Sequence, residues 1–166
     1  MTLRFIIFFF IVFSADGLSQ GLMEDKLIPT RQDSLRGSIT PEREWWDLTY
    51  YHLDIKVEPD KKFISGSNTV GYKVLKSNKT MQIDLQKPME ITSVIANGKS
   101  LKFNREGNAY FIELKAKQKK DDINYIEIFY EGFPKEAIRA PWDGGLSWTK
   151  DDNGNHFIAT SCQGLG

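Results

Sequence analysis

The sequence predicts an all-β fold, a sandwich or saddle of antiparallel strands. Period-two alternation of apolar and polar residues runs from Trp45 to the end of the chain. Turn signals interrupt it at short, regular intervals, giving about eight strands. No stretch carries a convincing helical period. Trp45-Trp46 opens the first strand, and adjacent residues point to opposite faces, so one indole enters the core and the other stays partly exposed. Tyr51, Leu53, Ile55 and Val57 then share one face, with His52, Asp54 and Lys56 on the other. Glu58-Pro59-Asp60-Lys61-Lys62 turns the chain. Ile64, Gly66, Asn68, Val70, Tyr72 and Val74 alternate along a second strand, where Gly66 marks a bulge or a close backbone approach.

After Lys76-Ser77-Asn78-Lys79, a third strand sets Met81, Ile83 and Leu85 against Gln82 and Asp84, and Pro88 ends it. Ile91 to Ile95 lead to Asn97-Gly98, the strongest short hairpin signal, and to a short strand through Leu101 and Phe103. Asn104 to Asn108 reads as a polar turn before Tyr110, Ile112 and Leu114. The charged turn from Lys117 to Asp122 leads to Ile126, Ile128 and Tyr130, and Gly132 and Pro134 break that strand. Leu146-Ser147-Trp148 and His156 to Ser161 flank Asp151-Asp152-Asn153-Gly154-Asn155 as a last hairpin.

The N-terminus has a different character. Arg4 precedes an unbroken apolar run, Phe5 to Phe13, followed by Ser14, Ala15, Gly17 and Ser19. A membrane span needs about 20 apolar residues, so the run reads as a secretory signal over residues 1–19. Cleavage after Ser19 is favoured; Ala15 and Gly17 are the other sites, and a short hydrophobic strand is the other reading. The mature chain is then exported to the periplasm, the cell surface or the medium, with no membrane span. Residues 20–44 read as a leader, linker or extended arm pinned where Leu35 can find a groove, and residues 45–166 as the β domain, expected to be incomplete at its C-terminus. Charge balances, with 22 Lys+Arg against 22 Asp+Glu. Lys117, Lys119 and Lys120 are answered by Asp121 and Asp122, so no basic stripe points to a nucleic acid. The single cysteine, Cys162, excludes an internal disulfide and a cysteine zinc site.

Composition and spacing alone describe a non-catalytic exported β domain. His52 and Asp54 share a strand face, an exposed pair or at most a weak metal site, and His156 follows a polar hairpin. No Gly-x-Ser-x-Gly elbow surrounds Ser161, and Cys162 beside a strand reads as a small buried hydrophobe rather than a reactive thiol. The carboxylate pairs lie in turns, where nothing raises a pKa for general acid work. Asn78-Lys79-Thr80 matches a glycosylation acceptor. An exposed tryptophan could stack on a sugar ring, which keeps open a stand-alone binding module for glycans or peptides.

Several motifs in order resemble the start of secreted bacterial M1 family zinc aminopeptidases. They are Leu35 to Leu48 with its Glu42-Arg43-Glu44-Trp45-Trp46-Asp47, Tyr51-His52-Leu53-Asp54, Ile64-Ser65-Gly66-Ser67-Asn68 and Met81-Gln82-Ile83-Asp84-Leu85. Pro141-Trp142-Asp143-Gly144-Gly145 and Ala159 to Gly166 complete the set. The resemblance implies a β saddle that packs against a catalytic metallopeptidase domain and caps its cleft over a peptide substrate. It implies that Gln163, at the family's Gln or Glu position, holds the free amino group of the substrate. Trp142, Trp148 and Leu165 are candidates for the face toward the catalytic domain. The His-Glu-x-x-His helix, the later Glu ligand and the Gly-Ala-Met-Glu-Asn motif do not occur. Zinc therefore belongs to the full enzyme, this chain is expected to bind no cofactor and to be inactive alone, and its end after a strand reads as a truncation.

Overall fold

Strand residues alternate sides, so an apolar stripe on every second position needs a second layer to cover it. The computed structural model describes residues 28–140 and 142–161 and shows two such layers, both antiparallel. The larger sheet has the order β1-β2-β8-β4-β5, formed by β1 (Trp46–Glu58), β2 (Phe63–Val74), β8 (Ile123–Gly132), β4 (Glu90–Ala96) and β5 (Lys99–Ser100). The smaller has the order β3-β7-β6, from β3 (Thr80–Asp84), β7 (Ala109–Glu113) and β6 (Lys102–Glu106). A third, two-stranded sheet pairs β9 (Gly145–Lys150) with β10 (His156–Ser161). The all-β class read from the alternation is the observed one. The signal segment lies outside the described residues.

The core lies between the two larger sheets. Val70 faces Ile126 across β2 and β8, with Tyr72, Val74, Ile91, Val94 and Ile128 on the same face. Met81, Tyr110, Ile112 and Leu114 meet them from the smaller sheet. Full burial of each large aliphatic side chain favours folding by about 1.5–3 kcal/mol relative to exposure. Trp45 is buried and stands edge-on to Tyr72, at 5.8 Å between ring centroids. It precedes β1 rather than opening it: its carbonyl accepts from Leu75 and Lys76 N–H, and its indole N–H donates to the Thr80 carbonyl at 2.7 Å. Trp46, half-buried, packs on the same Tyr72.

The sequence reading is corrected at three further places. First, residues 31–37 are helical (α1, Arg31–Gly37), not extended. Thr30 and Asp33 form a reciprocal capping box, and the Leu35 side chain is buried as its anchor. A seven-residue helix with one apolar anchor shows no 3.6-residue period, which is why periodicity misses it. Second, the strand through Leu101 is two strands. Asn97 and Gly98 both take positive φ (49° and 68°), as a tight hairpin requires, and β5 pairs back on β4. The chain then drops into the core at Leu101 and continues as β6 in the other sheet. Third, β6 extends through the expected polar turn to Glu106 and reverses at Gly107. Arg105 holds that end, stacking on Tyr110 and donating to the Gly107 carbonyl at 2.7 Å.

Candidate functional site

Two regions carry the residues of interest: the C-terminal hairpin and the uncovered part of the larger sheet. The hairpin closes around Asp151, whose carboxylate accepts from Asn153 N–H and Asn155 N–H at 2.9 and 2.8 Å. These bonds, led by that from Asn155, hold the Asp151 carboxyl below the ordinary range. At the base of the hairpin, Asp143 does a similar task. Its Oδ2 accepts from Ile138 N–H at 2.5 Å and Arg139 N–H at 2.8 Å, and the Arg139 bond leads in lowering its pKa. Gly145 has φ +93°, and a Cβ there would lie 2.6 Å from the Lys135 carbonyl oxygen. Glycine thus lets the 135–137 segment lie against β9, where Leu146 N–H donates to Lys135 O and Ala137 N–H donates to Leu146 O. Two side-chain contacts tie this region to the β1–β2 turn: the ion pair of Lys62 with Glu136 at 2.6 Å, and His156 Nε2 beside the Asp60 carboxylate at 3.1 Å.

Trp142 stands at this base with three-quarters of its surface exposed. Trp148 is half-buried on β9, and its indole N–H, buried, has no acceptor among the described residues. Gln163 and Leu165, and Cys162 with them, lie outside the described residues. The described hairpin ends at Ser161, paired with Gly145.

The second region was not foreseen as a site. Tyr51, Leu53, Ile55 and Val57 sit on the core side of the larger sheet, in register with Val70, Asn68, Gly66 and Ile64. All four are 40–55% exposed, because the smaller sheet does not reach them. Gly66 brings β1 unusually close: a Cβ there would lie 2.0 Å from the Asp54 carbonyl oxygen. Beside Leu53 a cavity of about 200 Å³ opens between the sheets, lined by Asn68, Ile83, Leu85, Ile128 and Tyr130 among others. The Asn68 Oδ1 is buried there without a hydrogen-bond donor among the described residues. A polar residue in the middle of an otherwise apolar strand face is the signal that could have marked this place.

His52 and Asp54 do share the opposite face of β1, in register with Thr69 and Ser67. Among the described residues no group of three His, Cys, Asp or Glu side chains converges around them. In the Asn78 acceptor motif the side-chain amide already donates to the Pro41 carbonyl at 3.2 Å. No described helix is long and apolar enough to cross a membrane.

No family model matches the chain, and no curated protein matches it by sequence. Solved structures do. The M1 zinc metallopeptidase from Deinococcus radiodurans superposes with a TM-score of 0.52 at 18% identity, over 67% of this chain and 27% of that one. A mutant of that enzyme bound to a Tyr-Ser-Ala substrate gives 0.53 at 17% identity, over 69% and 28%. Native leukotriene A4 hydrolase from Saccharomyces cerevisiae gives 0.53 at 17% identity, over 70% and 19%. The likeness is one of fold: the chain has the fold of the M1 peptidase N-terminal domain. It spans about a quarter or less of the length of the structures it matches.

Proposed function

We propose that this chain is the N-terminal domain of an exported M1 zinc aminopeptidase and caps the substrate cleft of a zinc-bearing catalytic domain without being catalytic itself. The observation that carries this reading is the apolar stripe Tyr51, Leu53, Ile55 and Val57, left uncovered in a fold otherwise found as one part of larger metallopeptidases. A contiguous exposed apolar strip of this kind marks a surface that another body covers. The N-terminal apolar run, read as an export signal, supports a role outside the cytoplasm.

In this reading zinc resides in the catalytic domain, and this chain contributes binding. In sequence Gln163 follows by two positions Ser161, the last residue of a hairpin pinned at its loop by Asp151 and at its base by Asp143. Its side-chain oxygen accepts a hydrogen bond from the protonated amine of a peptide. That bond fixes the first residue of the substrate relative to the scissile bond. Hydrogen bonds to charged groups contribute about 1.5–3 kcal/mol. In an enzyme that includes this domain, Gln163→Ala is therefore expected to raise KM for peptides with a free amino terminus by roughly 10- to 100-fold. The isolated chain is expected to release no amino acid from such peptides. Zinc-dependent release by the isolated chain, or an unchanged KM in the variant, refutes the assignment.

A further inference from the structure

Among the described residues β1 pairs with β2 alone, which leaves its other edge free along the whole strand. Such an edge presents a row of open N–H and C=O groups, ready to receive another strand. Natural edges are usually blunted by proline, by bulges or by charged side chains, and of these β1 carries only the charges of Asp54, Lys56 and Glu58 beyond its irregular start. Here the one irregularity falls between Leu48 and Tyr50, and the ladder from Tyr50 to Glu58 is regular and free of proline.

We propose that two copies of this chain associate by pairing their β1 strands antiparallel about a twofold axis at Ile55, continuing the larger sheet through both copies. The side chains favour this register. Ile55 meets Ile55 on the axis, and Leu53 lies opposite the second copy's Val57, so the exposed apolar stripes run on as one. On the other face, Asp54 lies opposite the second copy's Lys56, whose exposed pair with its own Glu58 at 3.1 Å is weak enough to exchange, and His52 lies opposite the second copy's Glu58. Twofold symmetry repeats each of these pairs.

Neighbouring registers are worse for stated reasons. Centring on Asp54 or on Lys56 sets like charges directly opposite each other, which destabilises a sheet. Centring on Leu53 draws the irregularity at Leu48–Tyr50 into the ladder, and centring on Val57 runs it into the turn at Pro59–Lys61. A slip of one residue puts apolar side chains against polar ones. The self-complementary charge order is what commits this edge to a second copy rather than to an unrelated strand.

Sedimentation equilibrium on the whole chain tests the proposal, with circular dichroism to verify folding of each variant. The wild-type chain is expected to show a monomer–dimer equilibrium that follows mass action. Asp54→Lys sets lysine against Lys56 at both symmetric positions and is expected to weaken dimerisation at least about tenfold. Adding Lys56→Asp to Asp54→Lys restores the opposite-charge order and is expected to restore the wild-type constant. In a Cys162→Ser background, Ile55→Cys is expected to give a disulfide-linked dimer on oxidation, because the residue meets its own copy. A wild-type chain that stays monomeric overturns the proposal and leaves the edge to a strand of another domain. So does a dimer whose constant Asp54→Lys leaves unchanged, or one that the double exchange fails to rescue.

Discussion

Gln82 shows how a polar residue can be fully buried in this fold. It is 1% exposed, and its amide N–H groups donate to the Leu35 carbonyl and to Asp84, each at 3.0 Å. Its side-chain oxygen accepts from the Thr40 hydroxyl at 2.7 Å, and its backbone N–H donates to the Glu42 carbonyl. The alternation in the sequence put Gln82 on the opposite side of its strand from Met81 and Ile83, but it could not show that α1 and the arm cover that side. Arg43, which bonds Asp84 as well as the Ser38 carbonyl, reinforces the same contact. Gln82→Leu removes every side-chain partner while keeping the volume, and it strands the Thr40 hydroxyl and the Leu35 carbonyl in a dry site. A buried polar group left without its bond costs about 1–3 kcal/mol. Chemical denaturation is expected to show a loss of that size, with the midpoint moving and the slope unchanged. Gly66 was legible at this scale too: the sequence offered a bulge or a close approach, and the geometry is a close approach to Asp54.

Elements with a strong local signal were the easiest to read. The Asn97-Gly98 hairpin and the hairpin around Asp151 are where turn chemistry places them, since their backbone conformations are set by the residues at the turn. The helix α1 and the sheet change at Leu101 were not legible, because tertiary contacts decide them. An ion pair from Arg31 to Glu106, at 3.0 Å and far along the chain, contributes to seating that helix. The C-terminal hairpin carries its own pH dependence. Asp143 and Asp151 have folded pKa values below their ordinary ones, so their contribution to stability is complete above the ordinary aspartate value, about 3.9. It is lost as pH falls through the lower folded values, where the native carboxylates finally take up protons. Amide exchange at Thr149 and Phe157 is therefore expected to quicken, relative to the core strands β2 and β8, as pH drops below about 4. Asp151→Asn should blunt that acid response. Equal quickening in hairpin and core would contradict it.

The described residues form two packed sheets and a two-stranded hairpin, and a stripe of half-exposed apolar residues lies on the core side of the larger sheet. The period-two pattern showed which residues share that side of β1. It could not show that the smaller sheet stops short of Tyr51, Leu53, Ile55 and Val57, because the extent of cover depends on the lengths of strands that come later in the chain. The order of motifs from Leu35 to Gly166 pointed to the fold that the M1 metallopeptidases share, whereas identity of 16–19% with those structures is too low for any one motif to do so. Gln163 stays a proposal drawn from that order of motifs, since it lies beyond the described end of β10. The claim that joins these observations is that this domain works with a zinc-bearing catalytic domain. The most direct measurement is the coding DNA past codon 166 in its native locus. A frame that continues into a His-Glu-x-x-His helix is the expected result. A stop codon with no metallopeptidase frame downstream would contradict the claim and leave the β domain to be studied as a binding module in its own right.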